Sequence, residues 1–233
     1  RLLMNEDDEV AACFTEVAVD RLVLHLNSTV LSVSSAPTGV TVTVDGPSGQ
    51  SVIDAGLLLL ATGRRPNTDR IDAAAGGLAL DEHGHVVTDR TYLTSVPGVW
   101  SFGDVANHFQ LKHMANAEMR IVTHNLLHPD QPRSLPSGLA PHAVFSDPQV
   151  ASVGLSQAQA IDQGVDHVVS VRPYSDTAYG WALEDTTSFV KLLADPHNKL
   201  LLGAHIIGPQ AAVLLQPLLQ AMMLGQTVDQ LAR

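Results

Sequence analysis

The chain has 233 residues, 45% of them apolar, enough for one large domain or two smaller ones with cores of their own. Its formal net charge of −11 repels nucleic-acid phosphates and anionic lipid heads, so neither nucleic acid nor a membrane surface is expected as a partner. The single cysteine, Cys13, excludes an internal disulfide and suits a reducing cytosol, and the longest apolar run, "AGLLLLA", is too short to span a bilayer.

The stretch "NEDDEVAACFTEVAVDRL" predicts a helix with Asn5 as N-cap, acid in its first turn, and Val10, Phe14, Val17 and Ala18 on one face. Asn27 to Val33 reads as a strand. "GVTVTVDGPSGQSVIDAGLLLLATG" reads as a hairpin turning at "DGPSG", followed by a buried strand of the parallel-sheet kind at "LLLL". A short helix at "RIDAAAGG", two short strands around a turn in "LALDEHGHVVTD" and a buried strand at "GVWSFGD" come next, and then a helix over Ala115–Leu127. "PDQPRSLPSG" (129–138) is the linker candidate. Beyond it "HAVFSDPQVASVG", "VDHVVSVRPY", "TSFVKLLAD" and "LLLGAHIIG" read as strands of an antiparallel sheet. "SQAQAIDQG" reads as a helix between the first two, and "AAVLLQPLLQAMMLG" as a last apolar helix with a kink at Pro217. The chain opens at Arg1 in a strand-to-helix junction and stops at "VDQLAR" within a helical pattern, which suggests a fragment.

Two places carry chemistry. Asp104 ends an apolar strand, where α/β folds bind ligands, and it can accept hydrogen bonds from sugar or polyol hydroxyls; equally, it can cap its own turn. The helix that follows begins near Lys112–Ala115 and offers the positive end of its dipole to an anionic group. In "ATGRRPN", Gly63 permits close approach of a cofactor or another backbone. Arg64 beside it can contact a phosphate or a neighbouring acid, or simply stand in solvent. Eleven histidines raise the question of a metal, and "HGH" (His83, His85) has the closest spacing; no Cys, Asp or third His stands at a known interval, so the pair reads as a solvated turn and no metal is expected. A serine hydrolase is set aside for want of GxSxG. Cys13 lies on the first helix and reads as an inert, partly buried thiol.

"LLLLATGRRPN", "VPGVWSFGDVA", "QLKHMANAE", "AVFSDPQVASVGLSQAQA" and "LLGAHIIGPQAA" occur in this order, and with matching gaps, in the pyridine nucleotide–disulfide oxidoreductases, which the whole chain resembles. Within that family "QLKHMAN", "HNLLHPD", "AYGWALEDTTSFVKL" and "GPQAAVLLQPLLQAM" look most like the branch that reduces mycothiol disulfide; the dihydrolipoamide dehydrogenase branch is the alternative. The resemblance implies an α/β fold of the FAD/NAD(P)-binding three-layer ββα type, followed by an α+β interface domain with an antiparallel sheet. It places the tail of the NAD(P)-binding domain at 1–65, the second half of the FAD-binding domain at 66–138 and the interface domain, truncated at its C-terminus, at 139–233. It assigns FAD to Gly103 and Asp104, the latter on the ribitol, and to Leu111, Lys112, His113, Met114 and Ala115 near the flavin pyrimidine edge. It assigns the nicotinamide nucleotide to Gly63, Arg64 and Val30. NADPH is implied, with NADH open, because Arg1 can hold a 2′-phosphate but Met4 stands where a second Arg is expected.

The resemblance also implies a homodimer through 139–233, whose partner contributes a histidine to the other subunit's site, and a low-molecular-weight disulfide as substrate. The GxGxxG turns, the CxxxxC redox pair and the terminal His-Glu pair of such enzymes do not occur in this sequence. No catalytic residue is therefore expected in this chain, and it is expected to be inactive by itself. A stand-alone dimerisation module fits the second half, but it has no use for the Gly-Asp and "ATGR" pieces.

Overall fold

A computed structural model describes residues 1–136 and 139–233; the last two residues of the predicted linker, Ser137 and Gly138, lie outside the described residues. The chain divides into two compact units, Arg1–Ala61 with Pro141–Arg233, and Thr62–Ala140.

In chain order the first unit begins with helix α1 (Asp8–Val19), then strands β1 (Thr29–Ala36), β2 (Gly39–Gly46) and β3 (Gly49–Ala55), an antiparallel meander in that order. The predicted hairpin is therefore present, and Val42 and Val44 turn inward between outward threonines. The N-cap of α1 is Asp7 rather than the predicted Asn5. Asp7 accepts the Glu9 backbone N–H at 3.2 Å and also engages the sheet, which Asn5 does not. The predicted strand at "LLLL" is absent. Leu57–Leu60 run on after β3 without a ladder, and Leu57 and Leu59 are fully exposed. A parallel strand exists only between neighbours, and none of the described residues pairs with this one.

The second unit holds one long helix, α2 (Lys112–Leu127), and a chain otherwise built from turns. The predicted helix at "RIDAAAGG" is a set of turns. The two strands of "LALDEHGHVVTD" reduce to isolated bridges, Leu80 with Val86 and Thr88 with Thr94, and "GVWSFGD" to a bridge between Leu93 and Trp100. Short runs so rich in glycine, aspartate and small residues satisfy their main chain through turn bonds, such as Asp81 N–H to His85 C=O and Val86 N–H to Val105 C=O.

The first unit resumes with β4 (His142–Val144), β5 (Val150–Gly154), α3 (Gln157–Asp162), β6 (Val168–Pro173), α4 (Ala178–Ala182), β7 (Phe189–Ala194), β8 (Leu201–Ile207), α5 (Ala211–Leu224) and α6 (Val228–Leu231). Its five strands form a sheet in the order β4-β5-β8-β7-β6, antiparallel as the sequence predicts, but the single strand expected over "HAVFSDPQVASVG" is two, β4 and β5, paired across residues 146–149. Ser156 and Gln159 close a capping box at the start of α3, and α5 continues through Pro217 to a left-handed Gly225. α5 packs on β5 and β8, and α1 packs on β8. Val10, Val150 and Ile207 are completely buried, with Phe14, Cys13 and Phe189 against them; burying each such side chain is worth about 1.5–3 kcal/mol.

The same sheet buries a polar row. His142 faces Ser152, Ser152 faces His205 and His205 faces Lys191 in register across four strands, so all four project from one face. The acids that meet this row precede α1. Asp7 Oδ1 accepts from Lys191 Nζ at 2.9 Å and Oδ2 from the Gln157 N–H, while Glu6 accepts from Ser152 Oγ and contacts His142 Nε2, both at 2.6 Å. Lys191 and Asp7 are each 1% exposed. Burial opposes charge on Asp7, yet the Lys191 ammonium and the Gln157 N–H outweigh it and hold its carboxyl below the usual range. Glu6 is lowered in the same way by His142 and Ser152. The fold is thus an α/β nucleotide-binding region joined to an α+β domain with an antiparallel sheet.

Candidate functional site

Asp104 sits in the middle of a single 3₁₀ turn, Gly103–Val105. Gly103 has φ +74°, which strains any other residue, and a Cβ there would lie 3.3 Å from the Cβ of Ala115, tight enough that α2 would have to give by a few tenths of an ångström. A carboxylate latches it in place. Glu118, on α2 and 2% exposed, accepts the Gly103 N–H at 2.6 Å and the Asn107 amide at 2.8 and 2.9 Å. Asn107 Oδ1 in turn accepts from the N–H groups of Phe109 and Gln110, which fixes the segment leading into the helix.

Glu118 and Asn107 were not among the predicted site residues, although the sequence carries a signal for Glu118. Met114, Glu118, Val122 and Asn125 are the buried positions of α2, spaced four, four and three apart. Two polar residues on an otherwise apolar stripe must bond to something. Asn125 does so as well, donating to the carbonyls of Thr91 and Arg133 and accepting from the Arg133 N–H.

Helix α2 starts at Lys112, three residues before the predicted Ala115. No side chain caps it, no acid stands in its first turn, and its first bond runs from Ala115 N–H to Leu111 C=O at 3.0 Å. The positive dipole end therefore opens at Leu111–His113 without an anionic side chain of its own. Lys112 and His113 are exposed there and Met114 is buried, so Met114 can meet a ligand only through its main chain.

The two stretches singled out in the sequence meet at one cleft of about 530 Å³ lined by Arg64, Arg65, Asn67, Asp104, Val105 and Gln110. Arg64 Nη1 stands 3.6 Å from Asp104 Oδ2 and donates to the Gln110 carbonyl at 3.3 Å. Both partners of this pair are about half exposed, so it is weak and exchangeable, with acceptor capacity left on the carboxylate. Gly63, with φ +95° and nothing within 4 Å of an added Cβ, leaves the main chain beside Arg64 open to approach. Val30 lies on β1 of the other unit with its side chain exposed. The structure thus brings Gly103, Asp104, Arg64 and the start of α2 into one unit, whereas Val30 belongs to the other.

An acceptor at the mouth of a roomy cleft, a turn pressed against a helix and an uncapped helix start suit a group with a polyol and an anionic portion. Flavin adenine dinucleotide has both. Cys13, by contrast, has the surroundings of a structural thiol. Burial, and then Glu16 and Asp185, push its pKa up, and its Sγ faces the Thr187 carbonyl.

The family model described as pyridine nucleotide-disulphide oxidoreductase matches residues 1–119, and that described as its dimerisation domain matches residues 140–233. The chain is 42% identical to mycothione reductase of Mycobacterium tuberculosis over its whole length and 50% of that protein's. It is 32% identical to dihydrolipoyl dehydrogenase of Bacillus subtilis over 90% of the chain and 44% of the relative. It spans about half the length of the curated relatives it matches. Among solved structures, LpdA from Mycobacterium tuberculosis superposes with a TM-score of 0.85 at 25% identity, over 97% of this chain and 49% of that one. The flavoprotein disulfide reductase RclA from Escherichia coli does so with 0.78 at 26%, over 97% and 52%.

Proposed function

The chain belongs to the pyridine nucleotide-disulphide oxidoreductase family, and on that premise we propose that it is part of an FAD-dependent enzyme that reduces mycothiol disulfide with NADPH. The flavin assignment is carried by Asp104, held at the mouth of its cleft by the Gly103–Glu118 latch. The choice of disulfide rests on the identity to mycothione reductase, which runs the full chain and exceeds that to dihydrolipoyl dehydrogenase.

Bound FAD supplies the two-electron chemistry between nicotinamide and disulfide. The chain's own part is to bind and orient. Asp104, whose only charged contact among the described residues is the loose one to Arg64, would accept hydrogen bonds from the ribitol hydroxyls. Glu118 and Asn107 keep Asp104 and the approach to α2 in fixed relation. Leu111, Lys112, His113, Met114 and Ala115 turn the positive end of α2 toward negative charge on the flavin ring. Gly63 and Arg64 serve the nicotinamide nucleotide, with Val30 near its adenine part.

Residues 1–65 are proposed as the tail of the nucleotide domain, 66–138 as part of the FAD domain and 139–233 as the interface domain of a cytoplasmic homodimer. Val213, Leu214, Met223 and Leu224 of α5 are exposed, an apolar face that a second subunit would cover. No helix among the described residues is long and apolar enough to cross a membrane. The 233-residue chain by itself is expected to show no reductase turnover.

The test is Asp104→Ala in the full-length protein. Loss of hydrogen bonds to a charged acceptor, about 1.5–3 kcal/mol, predicts flavin retention weaker by roughly 10- to 150-fold. Flavin content unchanged after exhaustive dialysis would overturn the assignment. Turnover with mycothiol disulfide against lipoamide, and with NADPH against NADH, decides substrate and nucleotide.

A further inference from the structure

The histidines of "HGH" are not alone in space. Asp81, His85 and His108 each offer one ligand atom, and these atoms all lie within 4.8 Å of one another. Asp81 Oδ2 is 3.0 Å from His108 Nε2 and 3.4 Å from His85 Nδ1. The His85 and His108 rings meet edge to face with centroids 4.2 Å apart, and His83 stands on the rim, 5.6 Å from His108. All four belong to the second unit. The solvated turn expected from the sequence describes His83, whose side chain is largely exposed; His85 is 6% exposed.

Two observations separate this cluster from an ordinary patch of surface charge. First, neither ring nitrogen of His85 has a hydrogen-bond partner. A buried imidazole left in that state carries a desolvation cost, which coordination of one nitrogen would remove. Second, Asp81 is already oriented. Its Oδ1 accepts the backbone N–H groups of His83 and His85 at 2.9 and 2.8 Å, which leaves Oδ2 facing the two imidazoles.

We propose that Asp81, His85 and His108 bind a divalent first-row transition-metal ion, with solvent in the remaining position. Two imidazole nitrogens and one carboxylate oxygen suit Zn²⁺ and its neighbours rather than Ca²⁺ or Mg²⁺. Bonds of about 2.0–2.2 Å in tetrahedral array place ligand atoms roughly 3.3–3.5 Å apart. The two contacts to Asp81 are close to this spacing, so side-chain adjustment rather than refolding completes the site. Its consequence is mechanical. Val86 N–H already bonds the Val105 carbonyl, one residue from Asp104. An ion joining the 81–85 turn to His108 would close the other side of the 103–110 loop and stiffen the segment that carries Asp104.

The experiment is calorimetric titration of Zn²⁺ into the metal-stripped protein, with thermal unfolding in Zn²⁺ and in chelator. The expected result is one saturable Zn²⁺ per chain and a rise in midpoint with metal. In His108→Ala affinity should fall tenfold or more and the rise should vanish. His108 is exposed, so its removal leaves the core intact; if the stripped variant nonetheless melts differently from the parent, His108→Gln takes its place. A Co²⁺ derivative should show visible ligand-field absorption that His108→Ala loses. His128→Ala is the control, because His124 and His128 form another close ring pair, 4.8 Å apart. Absence of one-to-one binding, equal binding in His108→Ala, or binding lost only in His128→Ala would each overturn the proposal. The measurement needs no flavin, so its failure is distinct from a failure of the assignment to Asp104.

Discussion

The two units pair their charged groups differently. In the first, four residues from four strands and two acids before α1 form a row in which Lys191, Asp7, Glu6 and Ser152 all find partners within hydrogen-bond distance. In the second, an ion pair at the cleft stands half exposed at 3.6 Å, and His85 is buried with neither ring nitrogen hydrogen-bonded and only a 3.4 Å contact to Asp81. Charge saturated inside a protein holds architecture together; charge left with spare capacity at a cleft or turn is available to a ligand. On this view substitutions in the row should register as lost stability, and substitutions at the cleft and turn as lost binding.

The largest effect is expected at Lys191. Removing one partner of a fully buried pair strands the other, at about 3–5 kcal/mol. Lys191→Met restores much of the side-chain volume but not the charge, so denaturant unfolding should find it nearly as damaging as Lys191→Ala. If methionine rescued the protein, the row would be filling space, and the contrast between the units would fail.

Glu118 should come next, and it tests the border between the two behaviours, since it is buried like the row yet supports the site. Glutamine in its place brings an N–H₂ group among three donated hydrogen bonds that all need acceptors. A loss of about 1.5–3 kcal/mol is expected for Glu118→Gln, together with weaker flavin retention in the full-length protein. A stability loss without the flavin effect would mean that the latch and Asp104 are independent.

How far the sequence revealed these features depends on whether the relevant contacts are local. The antiparallel sheet of the first unit was legible because its strands are short apolar runs bracketed by turns such as "DPHNK". "LLLL" was misleading for the opposite reason. A parallel strand is defined by partners distant in sequence, and without them four leucines lie exposed along an unpaired chain. Asp104 and Arg64 were singled out because motifs mark them. Glu118 needed the helical stripe to be read for its polar members, and the Asp81–His85–His108 cluster was invisible to spacing rules because His108 arrives from 23 positions away by a turn-built path that no periodicity announces (108 − 85 = 23). Nor could spacing show that Asp7, not Asn5, caps α1, since a lysine 184 positions later makes the difference.

Acid should uncover a smaller effect in the row. Burial, only partly opposed by the Leu155 carbonyl, Asp7 and Glu6, holds the His205 pKa below 6.5. The folded state therefore keeps His205 neutral where the unfolded chain would take up a proton. Its contribution is complete above about pH 6.5 and is lost as pH falls through the window below that value, at no more than about 1.4 kcal/mol per pH unit. Glu6 and Asp7, whose pKa values are lowered from 4.5 and 3.8, lose theirs only in more acidic solution, as pH falls through their folded values. His205→Gln, keeping a donor for the Leu155 carbonyl, should flatten the upper part of the stability–pH curve and leave the lower part in place.

Asp104 should show the smallest effect on stability and the clearest on binding. Its carboxylate meets only the loose Arg64 contact among the described residues, and its own turn is closed by main-chain bonds from Ala106 and Asn107 to Gly103. Asp104→Asn should therefore change unfolding free energy by less than about 0.5 kcal/mol, the range of an exposed ion pair. The sequence left two roles open for this residue, a cap on its turn or a hold on polyol hydroxyls, and the pair of measurements separates them. A cap would cost about 1 kcal/mol on removal with flavin content intact. The hold predicts the reverse, a protein that melts where the parent melts and emerges from purification with its flavin depleted.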